Sequence, residues 1–155
     1  MKALYAGSFD PFTIGHLEIA KRALSIFGSL VIGIGYNENK TGEWPIELRL
    51  QAIRDLFKDN KRVEVESYIG LTVEFAKRIQ ANVLVRGVRN GSEFEKEKEL
   101  ADINLEVGGI STVILPADPK LSFISSSMVR ELLHNGFDVS KYIAGSFPVL
   151  NKENI

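Results

Sequence analysis

Short apolar runs alternate along this chain with longer stretches in which apolar residues recur every three or four positions. The short runs are ALYA (3–6), LVIGIG (30–35), VEVES (63–67), NVLVRG (82–87) and STVILP (111–116). They are brief and mostly rich in β-branched residues, the pattern of strands buried on both faces. Between them, HLEIAKRALSIF, beginning at His16, places Leu17, Ala20, Leu24 and Phe27 on one helical stripe and leaves Glu18, Lys21 and Arg22 off it. That is an amphipathic helix. PIELRLQAIRDLF repeats the device, with Pro45 at the helix start and Leu48, Ala52 or Ile53, and Leu56 or Phe57 facing inward. GLTVEFAKRIQ predicts a third helix and GSEFEKEKELADINLE a fourth, with Ser92 as its cap. A fifth begins in SSSMVRELLHNG, with serines available as caps and Gly136 as its stop.

Repeated strand and helix predict an α/β fold: one doubly wound, mainly parallel, five-stranded sheet with right-handed crossovers and helices on both faces. No tandem repeat, low-complexity tract or Pro/Gly-rich linker divides the chain, so residues 1–155 read as one domain. Ligands of such sheets bind beyond the carboxyl ends of the strands, which directs attention to the loops that follow them.

Composition narrows the chemistry. With 19 basic and 20 acidic residues the formal net charge is −1, so no global field favours nucleic acid or an anionic membrane, and neither partner is expected. Any anion specificity must be local. Absence of cysteine excludes disulfides, thiolate zinc sites and cysteine nucleophiles. The two histidines, His16 and His134, argue against a histidine-rich metal site. The start, MKALYAGSFD, has too short an apolar run for a secretory signal, and nowhere do about eighteen apolar residues run uninterrupted, so a cytoplasmic protein is expected.

Four strand ends carry groups that seek phosphate. After the first, AGSFDPFTIGH (6–16) spends Gly7 and Gly15 on tight backbone, turns at Asp10-Pro11 and sets His16 at the opening of a helix. Unpaired N–H groups and the helix dipole make such an end an anion site, although a lone Gly-His after a turn is more often a capping device. After the second strand, YNENKTGEW offers one cation, Lys40, whose plainer role is a solvated loop lysine. After the fourth, Arg86 and Arg89 flank Gly87, and guanidinium groups suit bidentate phosphate recognition. The downstream EFEKEKE reads as an exposed helix face. After the fifth, the three serines 125–127 open a helix with Arg130 about one turn on; capping needs one serine and leaves two unexplained. The set lacks a nucleophile with a positioned base and a Walker lysine, which suits phosphoryl or nucleotidyl transfer by positioning and electrostatics.

GSFDPFTIGH resembles the G-[ST]-F-D-P-x-T-x-G-H signature, and FISSSMVRE the I-S-S-S-x-[VL]-[RK] signature, of bacterial phosphopantetheine adenylyltransferases, within the nucleotidyltransferase superfamily marked by H-x-G-H. NENKTGEWPIELR is similar to that family's N-P-x-K-K-P-x-F-x-x-E-E-R segment and VLVRGVRNGSEFEKE to its V-R-G-[LV]-R-x-x-x-D-F-E-Y-E, in family order across roughly residues 3–142. The resemblance implies a Rossmann-like nucleotidyltransferase fold and transfer of the adenylyl group of ATP to 4'-phosphopantetheine, giving dephospho-coenzyme A and pyrophosphate in coenzyme A biosynthesis. It implies that His16 steadies charge on the α-phosphate, that Ser8 and Lys40 orient the attacking phosphate, that Arg86 holds the pantetheine substrate and that Thr72 meets its arm. ATP would be surrounded by Ser8, Phe9, His16, Gly87, Val88, Arg89, Glu97, Leu121, Ser122, Phe123, Ile124, Ser125, Ser126 and Ser127. Mg2+ accompanies ATP in that family, with no carboxylate cluster here that demands a protein-held metal, and the family is typically homohexameric. Departures are Glu38 for proline, Thr41-Gly42 for Lys-Pro, Trp44 for phenylalanine, Lys96 for a frequent tyrosine and Leu121 for a tryptophan.

The chemistry is consistent with that division of labour, because a phosphate dianion near neutral pH needs no strong base before it attacks. Two alternatives stay open on the residues: a relative in the same superfamily acting on a polyol phosphate or on nicotinamide mononucleotide, and a nucleotide-binding module without turnover. Thr13 at the first histidine position of H-x-G-H, with the arginine and serine segments, favours the pantetheine enzyme.

Overall fold

The structure is a computed structural model that describes residues 1–148. In chain order its elements are β1 (Lys2–Gly7), α1 (Ile14–Phe27), β2 (Ser29–Gly35), α2 (Ile46–Phe57), β3 (Val63–Tyr68), α3 (Thr72–Arg78), β4 (Val83–Val88), α4 (Gly91–Gly108), β5 (Thr112–Pro116) and α5 (Ser126–His134). The strands form one sheet in the order β3-β2-β1-β4-β5, with every neighbouring pair parallel. Winding proceeds outward from β1 through β2 to β3, then restarts on the other side of β1 with β4 and β5. The direction therefore reverses between β1 and β4, whose carboxyl ends border the crevice where such sheets take ligands.

Alternation along the strands divides the core. Ala3 and Tyr5 of β1 join Leu30, Ile32 and Val85 beneath α1 and α2, while Leu4 and Ala6 join Val31, Leu84 and Phe75 on the α3 face. Of the apolar runs read as doubly buried strands, those of β1, β2 and the first half of β4 are buried on both faces, whereas the edge strands β3 and β5 bury only Val65, Tyr68 and Leu115, because an edge strand has a neighbour on one side alone and Glu64 and Glu66 keep to solvent or half-buried positions. Helix α1 begins two residues before His16 because Thr13 caps it. Its buried stripe, Ile19, Ala20, Ala23 and Leu24, overlaps the expected one.

Two expectations need correction. Leu48 is 39% exposed, and Arg49 takes the inward position on α2 beside Ala52 and Ile53. An arginine can occupy that position because its guanidinium finds carbonyl and carboxylate partners there, described below. Helix α4 is capped by Asn90, whose side chain accepts from Glu93 N at 2.9 Å, and not by Ser92, which lies inside the first turn. Helix α5 does end just before Gly136, which adopts φ +82°. No residue of α4 is buried, and Leu100, Ile103 and Val107, spaced along one stripe of it, are 42–60% exposed.

Candidate active site

The loop from Gly7 to Thr13 is held from several directions at its carbonyls. Ser8 O accepts from Arg49 Nη1 of α2 at 2.7 Å, Asp10 O from Arg130 Nη1 of α5 at 2.7 Å, Pro11 O from the Ser126 hydroxyl at 2.8 Å, and Phe12 O from Ala144 N at 3.0 Å. Phe9 sits at φ +46° with its ring buried against Tyr5, Phe12 and His16. Gly7 permits this: a Cβ there would lie 2.9 Å from the Phe9 ring.

His16 both caps and faces the cleft. Its Nδ1 accepts from Thr13 N at 3.0 Å and lies 3.2 Å from Thr13 Oγ1, while its own backbone N–H donates to Thr13 Oγ1. With Nδ1 engaged as an acceptor, the proton of the neutral ring belongs on Nε2. Burial, reinforced by the charges of Arg86 and Arg89, lowers the imidazole to about 4. His16 is therefore a neutral donor at working pH.

Arg86 leaves the α3 side of β4 and is clamped. Its Nε and Nη2 donate to the two carboxylate oxygens of Glu97 at 2.8 and 2.7 Å, and Nη1 donates to Ala6 O across the β1–β4 boundary. Burial opposes its charge, but the hydrogen-bonded Glu97 outweighs burial and raises its pKa. Arg89 is paired with Glu93 at 3.0 Å and reaches Ser122 O at 3.3 Å. Glu93 and Glu97 begin the half-buried stripe of α4 that Ala101, Asn104 and Gly108 continue, so the charged run on α4 supplies the partners of both cleft arginines.

The serine run divides its labour. Ser125 caps α5 by accepting from Met128 N, Ser126 donates to Pro11 O, and Ser127 lies near Arg130 Nη2 at 3.4 Å. All three line the cleft.

A cavity of about 240 Å³ is bounded by His16, Gly87 to Arg89, Leu121, Ile124 and the three serines, with Tyr5, Arg86, Glu93 and Glu97. A smaller lobe of about 170 Å³ is bounded by Ala6 to Phe9. Tyr5, His16, Arg86, Gly87 and Ser126 line both. Four expected residues fall outside these lobes. Lys40 is exposed and lines a separate open groove with Tyr36 and Arg49. Thr72 opens α3, its hydroxyl 2.8 Å from Tyr68 Oη. The carbonyl of Ser122 meets Arg89, while Phe123, 59% exposed, packs edge-on against Tyr142. Among the described residues, no group of three or more His, Cys, Asp or Glu is placed to hold a metal, and no helix is long and apolar enough to cross a membrane.

Tyr5 was not anticipated. Burial raises its phenol, which therefore stays protonated on the wall shared by both lobes. Strand alternation was the available signal, since Tyr5 faces α1 near the carboxyl end of β1. Asp10 and Arg49 were also missed; the inward arginine of α2 has no signature in helical periodicity, which scores apolar positions.

Residues 4–132 match the cytidylyltransferase-like family. The chain is 48% identical over 142 residues to the phosphopantetheine adenylyltransferase of Bacteroides thetaiotaomicron, covering 92% of this chain and 94% of that one. It is 47% identical over 145 residues to the Porphyromonas gingivalis protein of the same name, covering 94% and 95%. The chain belongs to the phosphopantetheine adenylyltransferase family. It is thus a nucleotidyltransferase of coenzyme A biosynthesis, and the sequence resemblance to that family is borne out. In fold it is similar to the bifunctional NMN adenylyltransferase/ADP ribose pyrophosphatase of Francisella tularensis (TM-score 0.70, 18% identity, 99% of this chain and 47% of that one). It is also similar to a lipopolysaccharide core biosynthesis protein of Thermoplasma volcanium (TM-score 0.54, 18% identity, 76% and 96%). Three departures from the phosphopantetheine adenylyltransferase pattern now have a physical setting. Trp44 is 1% exposed and its indole N–H donates to Pro148 O at 2.8 Å, a bond that phenylalanine could not make. Lys96 is exposed on α4, whereas Leu121 lines the cleft.

Proposed function

We propose that adenylyl transfer from ATP to 4'-phosphopantetheine takes place in this two-lobed cleft, with ATP in the larger lobe and the acceptor phosphate in the smaller. The observation that carries the reading is the position of His16 on the wall common to both lobes, beside Arg86. A phosphate oxygen of the acceptor attacks the α-phosphorus of ATP, the bond to the bridging oxygen breaks, and pyrophosphate leaves with that electron pair. No proton has to be removed from the dianionic acceptor. Catalysis then consists of holding two anions together and of stabilising charge on the α-phosphoryl oxygens. The neutral Nε2–H of His16 donates there. The N-terminal peptide groups of α5 face the distal phosphates.

Both cleft arginines arrive already paired, so their role is directional as much as electrostatic. Arg86 uses three of its N–H groups on Glu97 and Ala6, which fixes the fork and leaves the others for phosphate. Ser8 serves the acceptor side. Lys40 would reach the acceptor phosphate by an inward movement of the 36–44 loop, and Thr72 would meet the pantetheine arm. Gly87, Val88, Arg89, Glu97 and the 121–127 segment would surround ATP. The carboxylates that line the cleft, Glu93 and Glu97, are engaged by arginines and offer Mg2+ no ligand set, so the ion would travel on the phosphates of ATP. The exposed apolar stripe of α4 supports self-association, which we read as the homohexamer, and the enzyme as cytoplasmic.

Release of pyrophosphate that depends on 4'-phosphopantetheine tests the reading. His16→Ala should keep most ATP affinity and lose about 10²–10³ in kcat, as for removal of one transition-state donor. Equal losses in ATP binding and in rate would refute the role given to His16, and turnover with a different phosphate acceptor alone would refute the substrate.

A further inference from the structure

The loop carrying Ser8 and the loop carrying Lys40 come from different strands, yet one buried ion pair fastens them together. Asp10 is 7% exposed and Arg49 4% exposed. The two carboxylate oxygens of Asp10 accept from the backbone N–H groups of Glu43 and Trp44, at 2.8 and 2.9 Å. Arg49 Nε donates to Trp44 O at 2.9 Å, and its Nη1 donates to Ser8 O at 2.7 Å. The guanidinium and the carboxylate approach to 4.0 Å. Both charges therefore spend their hydrogen bonds on main chain of the two loops.

We propose that Asp10 and Arg49 are positioning residues that set the separation of Ser8 and Lys40, and thereby the site of the acceptor phosphate. The proposal rests on the reading that these two residues face the acceptor. Burying an ion pair is a poor route to stability, since well-packed apolar side chains of the same volume commonly do as well. A fixed distance between two loops is what the pair supplies and an apolar pair would not. The far end of the 36–44 loop is built around it: Gly42 has φ +68°, and a Cβ there would stand 2.8 Å from Asp10 Oδ2. Arg130 donates to the main-chain carbonyl of Asp10 and leaves the carboxylate to the 36–44 loop, so the ATP-side helix α5 is tied to the same strand end without sharing this clamp. Disturbing the pair should therefore move the acceptor side selectively.

The test is a steady-state comparison of KM for each substrate, with Tm measured in parallel. Arg49→Lys keeps the charge but cannot make both bonds of the fork. It should raise KM for 4'-phosphopantetheine by about tenfold or more while KM for ATP stays within about threefold. Gly42→Ala pushes on the same carboxylate from the surface and should reproduce that split; it decides the matter if Arg49→Lys does not fold. A parallel rise of both KM values, or a lowered Tm with both unchanged, overturns the proposal. Lys40→Ala separates the two levels. If it leaves KM for the acceptor unchanged, the placement of Lys40 falls and the proposal with it; if it raises that KM and neither Arg49→Lys nor Gly42→Ala does, the proposal alone falls.

Discussion

Lowering the pH from 7.5 to 5 gives a proton to an ordinary imidazole, whose pKa is about 6.5; in the free enzyme His16 should stay neutral over that range. Two features of the site lead there. Burial removes the water that would solvate an imidazolium, and Arg86 and Arg89 add like charge, together lowering the pKa to about 4. Independently, the Thr13 N–H points at Nδ1, so a second proton would set one N–H against another. In the unfolded chain the ring takes its proton near 6.5, so between 6.5 and about 4 the unfolded state binds more protons than the folded one, and stability falls as the pH falls. The contribution is complete above 6.5 and lost near 4. At 1.36 kcal/mol per pH unit it amounts to at most about 3 kcal/mol, less where water in the cleft solvates the ring.

Long-range nitrogen–proton correlation on histidine-labelled protein reads this directly, with His134→Gln removing the other ring. His16 should show a protonated Nε2 and a bare Nδ1, both unmoved from pH 7.5 to 5. Any acidic limb of the rate near pH 6 would then belong to the second ionisation of the acceptor phosphate, at about 6. A midpoint at 6 or above, or a proton found on Nδ1, would refute the neutral-donor argument.

Gly33→Ala would place a Cβ 2.8 Å from Leu4 Cδ1 and Phe75 Cε1 on the α3 face of the sheet; overpacking of about 1–3 kcal/mol should lower Tm by roughly 2–10 °C, seen by calorimetry. Trp44→Phe removes the donor to Pro148 O from a side chain that is 1% exposed, and should cost about 1–3 kcal/mol in urea unfolding. Ile103→Glu, at a position 55% exposed on α4, should leave Tm of the subunit within about 1 °C but reduce the mass seen by light scattering; an unchanged mass would remove α4 from the assembly surface.

The fold was legible because its signals are local and redundant. Each strand read from its apolar run is a strand, and the helices between them are where the 3.6-residue period put them. The errors came where a polar group competes with pattern. Arg49 displaced Leu48 from the inner face of α2 because three carbonyl or carboxylate partners lie within reach of its guanidinium, and two of them, Ser8 O and the Asp10 carboxylate, belong to a loop about forty residues earlier in the chain. Asn90 outcompeted Ser92 as a cap because the helix began one residue after it, a boundary that periodicity does not resolve.

Of the residues expected at the site, most line the candidate cleft and Lys40, Thr72, Ser122 and Phe123 do not, while its balance of charge was not legible in the sequence. Arg86 and Arg89 stand at the expected strand end, but the charge they bring is balanced by Glu97 and Glu93, which sit in a run whose composition reads as solvent-facing. Only the packing of α4 against β4 and β5 turns two of its many carboxylates inward. On the proposed reading, a cleft whose arginines are paired and whose histidine is neutral would attract ATP with little net charge; what remains is the direction of its N–H groups. Such a site gains most where charge develops in a fixed place, at the α-phosphate, and least from anions that merely pass. Removal of Glu97 would therefore be expected to strengthen the positive field and still harm the reaction, because the fork of Arg86 would lose the partner that aims it.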